Sequence, residues 1–370
     1  MEDKIEDFGF EIDFLPVGDK SRSGDAICIR WGYRLADPAS RKQYVCVVDG
    51  GFKENGAGVV DHLVGYYGTK HIDVLVNTHP HGDHVGGLPV VLEKCTVDYL
   101  LIHKPWEHSD LKESFHDGRV TNKGIKEDLR NNLETAYSLV KAASENKHTK
   151  CCECFAPCSW TNAGVTVYVL GPTKGYYDEQ LPNFVSTPTD AEEDGVRLKY
   201  DEDAEMVPAD KCPLTDEGAT SAENNSGIIL LFKLPGGELV LLTGDAGMPA
   251  LEQAVAAAKS KGLDLPSNIV FFQVPHHGSI QNVGPTILKK IFGDASRRDT
   301  SPVAYISVCK EPDSGHPSKQ VVNDLASRNV RCFPTQGVSI HRKFGNVPSR
   351  DGWTAIEAIG PFSKVEPVHV

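Results

Sequence analysis

A short histidine-rich segment is the part of this sequence best suited to carry out chemistry. Residues 78–87 read Thr-His-Pro-His-Gly-Asp-His-Val-Gly-Gly, so three imidazoles and one carboxylate fall within six residues. Imidazole nitrogen and carboxylate oxygen are ligands for zinc, and also for manganese or iron. Four donors exceed what one catalytic metal with an open position needs. The segment predicts two metal ions, with His79 and His81 on one and Asp83 and His84 on the other; a polar loop with incidental histidines is the alternative.

Two later segments offer further metal ligands. One apolar run ends at Thr-Gly-Asp with Asp245, and another, 269–274, is followed by Pro-His-His-Gly-Ser with His276 and His277. A carboxylate and an imidazole at the ends of neighbouring strands could complete two coordination spheres, with Asp245 between the ions. A Gly-Asp sequence on its own is commonly a turn. These segments therefore indicate a metal site only in combination with residues 78–87. Either His276 or His277 could be the ligand, and His276 is favoured.

The elements between these motifs must bring their side chains together. Short apolar runs with strand character alternate with segments of helical spacing, which is typical of a layered α/β domain. The predicted strands are 10–17, 26–31, 43–48, 71–78, 165–170, 269–274 and 303–308, with hairpins at 227–242 and near 338–341. The predicted helices are 57–65, 123–143, 249–261 and 317–327.

The order of these motifs resembles a known family. Asp49, the 79–84 segment, Asp245 and the pair at 276–277 follow one another as in the metallo-β-lactamase superfamily of binuclear hydrolases. The resemblance is closer to one branch, the hydrolase domain at the C-terminus of ComEC-type DNA-uptake proteins and its stand-alone relatives. That closer resemblance is carried by residues 14–18, 24–26, 223–226, 241–245, 274–279, 315–317 and 335–337.

The resemblance implies a fold and an activity. The expected fold is a four-layer αββα sandwich over residues 1–345 with the site at one sheet edge, followed by a C-terminal extension at 346–370. Two divalent ions, zinc first and manganese or iron next, would activate a water for hydrolysis. The nearest branch implies a phosphodiester or nucleic-acid-like substrate. Ester, lactone or thioester hydrolysis is the alternative, and a non-catalytic binding module on the same fold is a further hypothesis.

Roles outside the metal ligands follow from the same comparison. Asp83 is expected to orient the water while it contacts metal. Asp49, at a strand end, is expected to orient a ligand histidine, with a turn aspartate as the alternative. His316 is expected to bind substrate or protonate a leaving group, and helix capping is its alternative.

One departure from the superfamily concerns the first ion. Many members use another histidine, after a Gly-rich turn, as a third protein ligand there. This chain has Asn-Asn-Ser at 224–226 in that place. Asn225 and Ser226 could contact substrate or close a turn. The first ion is therefore expected to be short of one protein ligand.

The acidity of the chain is concentrated in one segment. Its 370 residues carry 38 Lys+Arg against 51 Asp+Glu, a formal net charge of −13. Residues 178–223 hold fourteen acidic and three basic residues. They are interpreted as a surface insertion that could recruit a protein partner. The remainder is nearly neutral, so a small-molecule or nucleic-acid substrate bearing phosphate is compatible with the composition.

The sequence also bears, less directly, on the cellular location of the protein and on the roles of its cysteines. No run approaches the roughly 18–20 apolar residues of a membrane span, and the N-terminus has no apolar signal segment, so a cytoplasmic protein without membrane association is expected. Four of the ten cysteines lie at Cys151, Cys152, Cys154 and Cys158; free thiols are favoured over a structural zinc site. His103 and His108 are interpreted as surface residues, with lining of the substrate pocket as the alternative.

Overall fold

The chain folds into two seven-stranded sheets flanked by helices. The computed structural model describes residues 4–19, 22–108, 129, 133–184, 205–294, 301–312 and 315–368. The strands are β1 Phe8–Phe14, β2 Ala26–Tyr33, β3 Lys42–Gly50, β4 His71–Val76, β5 Thr96–Leu101, β6 Lys150–Cys152, β7 Cys158–Asn162, β8 Val165–Gly171, β9 Val207–Pro208, β10 Ile229–Lys233, β11 Leu239–Leu242, β12 Ile269–Gln273, β13 Val303–Ile306, β14 Arg331–Pro334, β15 Ile340–Gly345 and β16 Lys364–Val365. The helices are α1 Gly56–His62, α2 Gly82–Val85, α3 Leu88–Lys94, α4 Glu134–Glu145, α5 Lys174–Phe184, α6 Ala222–Asn225, α7 Met248–Ser260, α8 Leu265–Asn268, α9 Pro285–Phe292 and α10 Lys319–Ser327.

Each sheet combines an antiparallel half and a parallel half. The first has the order β15-β1-β2-β3-β4-β5-β6 and is parallel from β3 to β6. The second has the order β14-β13-β12-β11-β10-β8-β7 and is parallel from β14 to β11. Parallel neighbours need crossover connections, which the helices supply. The parallel halves matter for function because the carboxyl ends of parallel strands lie at one edge of a sheet.

Three apolar layers separate two helical layers and two sheets. The layer between the sheets is rich in aromatic side chains, with Phe10 and Phe232 meeting edge to face at 5.9 Å between ring centres. A second layer joins the first sheet to α1, α3 and α4, and a third joins the second sheet to α7, α9 and α10. Strand β1 is buried along its whole length because both of its faces are covered. The predicted four-layer αββα sandwich is confirmed.

The hairpin predicted near 338–341 is wrong. Strand β15 pairs with β1 of the first sheet, from Gly9–Gly345 to Phe14–Ile340, whereas β14 belongs to the second sheet. The turn at Thr335-Gln336-Gly337 therefore carries the chain from one sheet to the other. Local alternation marks a strand but does not say which strand pairs with it, and Phe344 packing on Phe10 at 6.0 Å decides the pairing.

The first residues of the acidic segment 178–223 belong to the core fold and not to a surface insertion. Residues 178–184 continue helix α5, which buries Tyr177, Leu181 and Phe184 in the layer beneath the first sheet. Residues 185–204 lie outside the described part of the chain, as do 123–128 and 130–132 of the predicted helix 123–143. None of the helices in the described ranges is both long and apolar enough to cross a membrane.

Candidate metal centre

The ends of strands from both sheets meet at one edge of the sandwich. Asp49 ends β3, and the 78–87 segment follows β4 in the first sheet. Asp245 follows β11, and the pair at 276–277 follows β12 in the second sheet. Glycines allow the close approach of backbones there: a Cβ on Gly87 would collide with the carbonyl group of Gly50. Each predicted metal ligand is therefore brought to the same place by a strand end.

The predicted ligands form two adjoining clusters that share Asp245. In the first, Nε2 of His79 lies 3.1 Å from Nδ1 of His81 and 3.7 Å from Oδ2 of Asp245. In the second, Oδ2 of Asp83 lies 3.5 Å from Nε2 of His84 and 3.5 Å from Nε2 of His277. The same Asp245 oxygen is 3.2 Å from Nε2 of His84. One carboxylate oxygen thus faces both clusters.

The spacing of these atoms fits metal coordination. Donors at about 2.0–2.1 Å from a tetrahedral ion lie roughly 3.4 Å from one another. The measured separations fall around that value, and the three at 3.5–3.7 Å are too long for good hydrogen bonds. Nε2 of His84, Nε2 of His277 and Oδ1 of Asp245 are buried and have no hydrogen-bond partner. Buried polar atoms are rarely left without a partner, so this cluster of histidine and aspartate side chains could hold divalent metal.

Asp49 fixes the orientation of two of the histidines. Its Oδ2 accepts from Nδ1 of His84 at 2.8 Å and from the hydroxyl of Thr78 at 2.6 Å. Because the Thr78 proton is used on Asp49, its oxygen accepts from Nδ1 of His79 at 3.0 Å. In both imidazoles Nδ1 is therefore the donor and Nε2 faces the clusters; the neutral ring in this orientation is the form that binds metal.

A second buried carboxylate, which sequence reasoning did not assign to the site, lies behind His84. Asp25 accepts from Nε2 of Gln273 at 2.8 Å and from the Ser307 hydroxyl, and its Oδ2 lies 3.8 Å from Nδ1 of His84. Burial raises the pKa of Asp25 to about 6. A glutamine at the end of the apolar run 269–274 was the signal that could have identified this pair, since a polar residue in a buried strand needs a partner.

Burial and neighbouring charge separate the pKa values of the histidines. Burial lowers the pKa of His81 to about 4, and burial together with His84 holds that of His79 well below its usual value. Burial acts on His84 in the same direction, but the carboxylates of Asp245 and Asp83 outweigh it and raise its pKa. The first cluster is thus a neutral pair of nitrogen donors beside a carboxylate, and the second is richer in negative charge.

Both members of the late histidine pair reach the centre, on different sides. His277 contributes Nε2 to the second cluster, whereas Nε2 of His276 lies 3.8 Å from Oδ2 of Asp245. The ring of His316 lies 6.2 Å from that of His276, farther out. The sequence favoured His276 as the single ligand; the structure places His277 in the four-residue cluster with Asp83, His84 and Asp245.

Asn225 and Ser226 close a turn beside the first cluster. The Ser226 hydroxyl donates to the carbonyl group of Ala222 at 2.6 Å, and Nδ2 of Asn225 donates to the carbonyl group of Ser221 at 3.2 Å. These are the turn-closing contacts named above as the alternative to substrate contact. Ser226 also lines a small cleft with Thr78, His79 and His103.

The interpretation of His103 and His108 as surface residues is wrong. Nε2 of His103 donates to the carbonyl group of Cys154 at 3.0 Å, and its ring stacks on Phe155 at 4.5 Å. His108 bridges the carboxylates of Glu153 at 3.0 Å and Asp178 at 2.6 Å. Both histidines are buried because the β6–β7 connection folds over them.

The cysteines at 151–158 do not gather into a metal site in the structure. All four are free, with Cys152 and Cys158 exposed and Cys154 buried. Among the described residues, the groups of side chains spaced for a metal ion contain histidine, aspartate and glutamate but no cysteine. The sequence favoured exposed free thiols, which describes Cys152 and Cys158 but not the buried Cys154.

Comparison with known proteins places this centre in a family context. Residues 41–137 match the family model of the metallo-beta-lactamase superfamily. No curated protein matches the sequence significantly. Among solved structures, the metallo-beta-lactamase fold protein YhfI from Bacillus subtilis is 9% identical, over 91% of this chain and 99% of that one, with a TM-score of 0.42. Unliganded yeast PDE1 is 12% identical, over 90% and 98%, with a TM-score of 0.42.

The similarity to the superfamily rests on the family model and not on these distant structural matches. It spans β3 to the start of α4 and includes the whole 78–87 segment. Residues 41–137 are therefore similar to a metallo-beta-lactamase superfamily domain. Proteins of this superfamily are generally metal-dependent hydrolases.

Proposed function

We propose that this protein is a metal-dependent hydrolase whose centre holds two divalent cations, zinc first and manganese or iron next. The observation that carries the proposal is the pair of adjoining clusters that share Oδ2 of Asp245, in which Nε2 of His84, Nε2 of His277 and Oδ1 of Asp245 are buried without a hydrogen-bond partner. The proposed ligands are His79, His81 and Asp245 on one side, and Asp83, His84, His277 and Asp245 on the other. Two cations held there would lower the pKa of a water toward neutrality and polarise the bond to be cleaved.

The chain's own residues orient the reactants around that centre. The Asp83 side chain is 15% exposed and that of Asp245 only 2%, so Asp83 is the ligand carboxylate that can meet a water arriving from solvent. In this proposal Asp83 accepts a hydrogen bond from the attacking water. His316, outside His276, protonates the leaving group as a general acid.

The substrate class proposed is a phosphodiester or nucleic-acid-like molecule. Support comes from the sequence resemblance to ComEC-type hydrolase domains, above all from the segments at 223–226 and 274–279 beside the centre. The low net charge outside the acidic segment is compatible with such a substrate. Ester, lactone and thioester substrates use the same chemistry, so the experiment must include them.

Metal quantification followed by a substrate panel tests this proposal. Purified protein should contain close to two transition-metal ions per chain and should hydrolyse bis-p-nitrophenyl phosphate or single-stranded DNA. His81→Ala should lose metal and activity, whereas His148→Ala, at an exposed histidine, should keep both. A protein without bound metal would refute the enzyme proposal. Cleavage of lactones alone would keep the hydrolase and replace the substrate class.

Two further expectations belong to the same proposal. A reducing, cytoplasmic setting is supported by the ten cysteines, all of which are free. A protein partner at the acidic segment 178–223 is tested by a deletion confined to 185–204, because 178–184 lie in α5 and 222–225 form α6 beside the centre. This deletion should abolish partner capture and leave turnover of the model substrate intact.

A further inference from the structure

The first cluster lacks the third histidine that many superfamily members have. Asn225, which stands in that place in the sequence, turns its amide nitrogen toward the carbonyl groups of Thr220 and Ser221, at 3.4 and 3.2 Å. His79, His81 and Asp245 therefore supply three protein donors where a fourth could be accommodated.

His276 is placed where such a donor is needed. Its Nε2 lies 3.8 Å from Oδ2 of Asp245, nearly the same separation as the 3.7 Å between that oxygen and Nε2 of His79. His277 instead faces Asp83 of the second cluster at 3.5 Å. The two adjacent imidazoles thus approach different carboxylates of the centre, His276 approaching Asp245 and His277 approaching Asp83.

Asn282 determines which nitrogen of His276 carries the proton. The amide nitrogen of Asn282 donates to the backbone carbonyl group of Asp245 at 2.7 Å, so its oxygen is the atom that faces Nδ1 of His276 at 2.9 Å. A carboxamide oxygen only accepts hydrogen bonds. Nδ1 is therefore the donor, and Nε2 keeps its lone pair directed toward the centre, as the Asp49 network achieves for His79 and His84.

The backbone of the pair is held in an unfavourable conformation. His276 has φ +47° and His277 has φ +56°, both in the left-handed region that side chains other than glycine rarely adopt. Such conformations persist where the surrounding structure enforces them, and they cluster at functional sites. A conventional turn would not direct both imidazoles into the centre.

We propose that His276 is the third protein imidazole of the first metal site, in place of the missing superfamily histidine, and that Asn282 is its positioning residue. This inference rests on the two-metal centre of the proposed function. It assigns neighbouring histidines to different ions, with His276 on the ion of His79 and His81, and His277 on the ion of Asp83 and His84. Asn282 holds the His276 tautomer while also tying the Asp245 backbone to the same loop.

Metal stoichiometry of single and double variants tests this assignment. Each protein is dialysed against buffered zinc, and bound zinc is counted per chain by mass spectrometry. Wild type should hold two ions, and His276→Ala and His277→Ala should each lose one. The double variant should lose both, because the two residues serve different ions. A double variant that keeps one ion would show that the residues share an ion and would overturn the proposal, as would two tight ions in His276→Ala.

Asn282 is tested by affinity rather than by count. Asn282→Ala should weaken one of the two zinc sites about 10- to 100-fold, the usual effect of losing a group that orients a ligand. Asn282→Asp keeps an acceptor for Nδ1 of His276 but loses the donor to the Asp245 carbonyl group, so it should recover only part of that loss. Wild-type affinity at both sites in Asn282→Ala would refute the positioning role. The His276 variant leaves the Asn282–Asp245 bond in place, so it remains informative if the Asn282 variants fold poorly.

The two proposals fail in different ways. If wild type binds no transition metal, the metal-dependent hydrolase itself is refuted. If wild type binds two ions and His276→Ala binds them with unchanged affinity, only the assignment of His276 is refuted. Cobalt substitution gives a second readout, because loss of an imidazole from one ion changes the visible absorption of that ion.

Discussion

Oδ2 of Asp49 lies 2.8 Å from Nδ1 of His84, and both side chains are completely buried. The same carboxylate accepts from the Thr78 hydroxyl at 2.6 Å, and through it from His79 at 3.0 Å. One aspartate at the end of β3 thereby orients a histidine in each of the two clusters. Its φ of +59° shows that the backbone is held in a left-handed conformation to bring it there.

Asp49→Asn should weaken metal binding at both clusters. Oδ2 accepts from both the Thr78 hydroxyl and Nδ1 of His84, and Oδ1 accepts from the Thr78 backbone N–H and Nδ2 of Asn77. The amide nitrogen would therefore face hydrogen-bond donors in either position. Loss of such an orienting group costs about 10- to 100-fold in metal affinity. Competitive zinc titration measures the effect. Asp61→Asn, at an exposed aspartate of α1, is the matched control and should bind as wild type. Unchanged affinity in Asp49→Asn would leave Asp49 as a turn residue only.

A second prediction concerns a buried charge cluster that contains none of the predicted metal ligands. Arg350 donates to both oxygens of Asp13, at 2.6 and 2.8 Å, and to Glu11 at 2.7 Å. Arg350→Met should destabilise the protein by about 3–5 kcal/mol, because it removes the guanidinium that pairs with two buried carboxylates. Urea unfolding followed by fluorescence measures the change. Lys343→Met, at an exposed position on β15, should change stability by less than about 0.5 kcal/mol. A similar loss of stability in both variants would show that the pairing of Arg350 with the buried carboxylates does not stabilise the protein.

The same cluster makes a prediction about acid stability. Burial alone would raise the pKa of Asp13, but His62 and Arg350 outweigh it and hold the pKa well below the ordinary 3.8. Between these two values the unfolded state binds more protons than the folded state, so this contribution is complete above about pH 4 and is lost as the pH falls further.

Comparison of wild type with Asp13→Asn isolates that contribution. The stability difference should be constant near neutral pH and should shrink as the pH is lowered from about 4 towards 2. Measurements in a chelator remove metal binding from the comparison. A difference that stays constant over this range would show that Asp13 has an ordinary pKa in the folded protein.

The metal ligands could be predicted from the sequence more completely than the buried residues that hold the surrounding structure in place. The 78–87 segment, Asp245 and the pair at 276–277 are recognisable because their ligand types lie next to apolar runs, and strand ends are readable from local pattern. Asp25 and Arg350 were missed since their partners lie hundreds of residues away: Gln273 is 248 positions from Asp25, and Arg350 is 337 from Asp13. Nothing local marks such contacts.

The same limit explains the errors in the fold. Strand β15 was recognised in part, but its partner was not, because pairing with β1 is decided by packing of Phe344 against Phe10. His103 and His108 looked like surface residues because they lie in a polar loop. In the folded chain the ring of Phe155 packs 4.5 Å from that of His103, and the ring of Tyr177 packs 5.0 Å from that of His108. These contacts bury both histidines.

His316 provides the prediction that separates chemistry from metal binding. Its ring lies 6.2 Å from that of His276, on the outer side of the centre, and it precedes Pro317 and helix α10. As a general acid it should contribute roughly 10²- to 10⁴-fold to turnover. His316→Ala should therefore lower kcat on single-stranded DNA, whose leaving group is an alkoxide, by that order while zinc content and thermal stability stay unchanged. Bis-p-nitrophenyl phosphate should keep much of its rate, because its nitrophenolate leaves without a proton. If instead the variant loses stability and keeps its kcat, His316 serves to hold the start of α10, and the leaving-group proton comes from another donor.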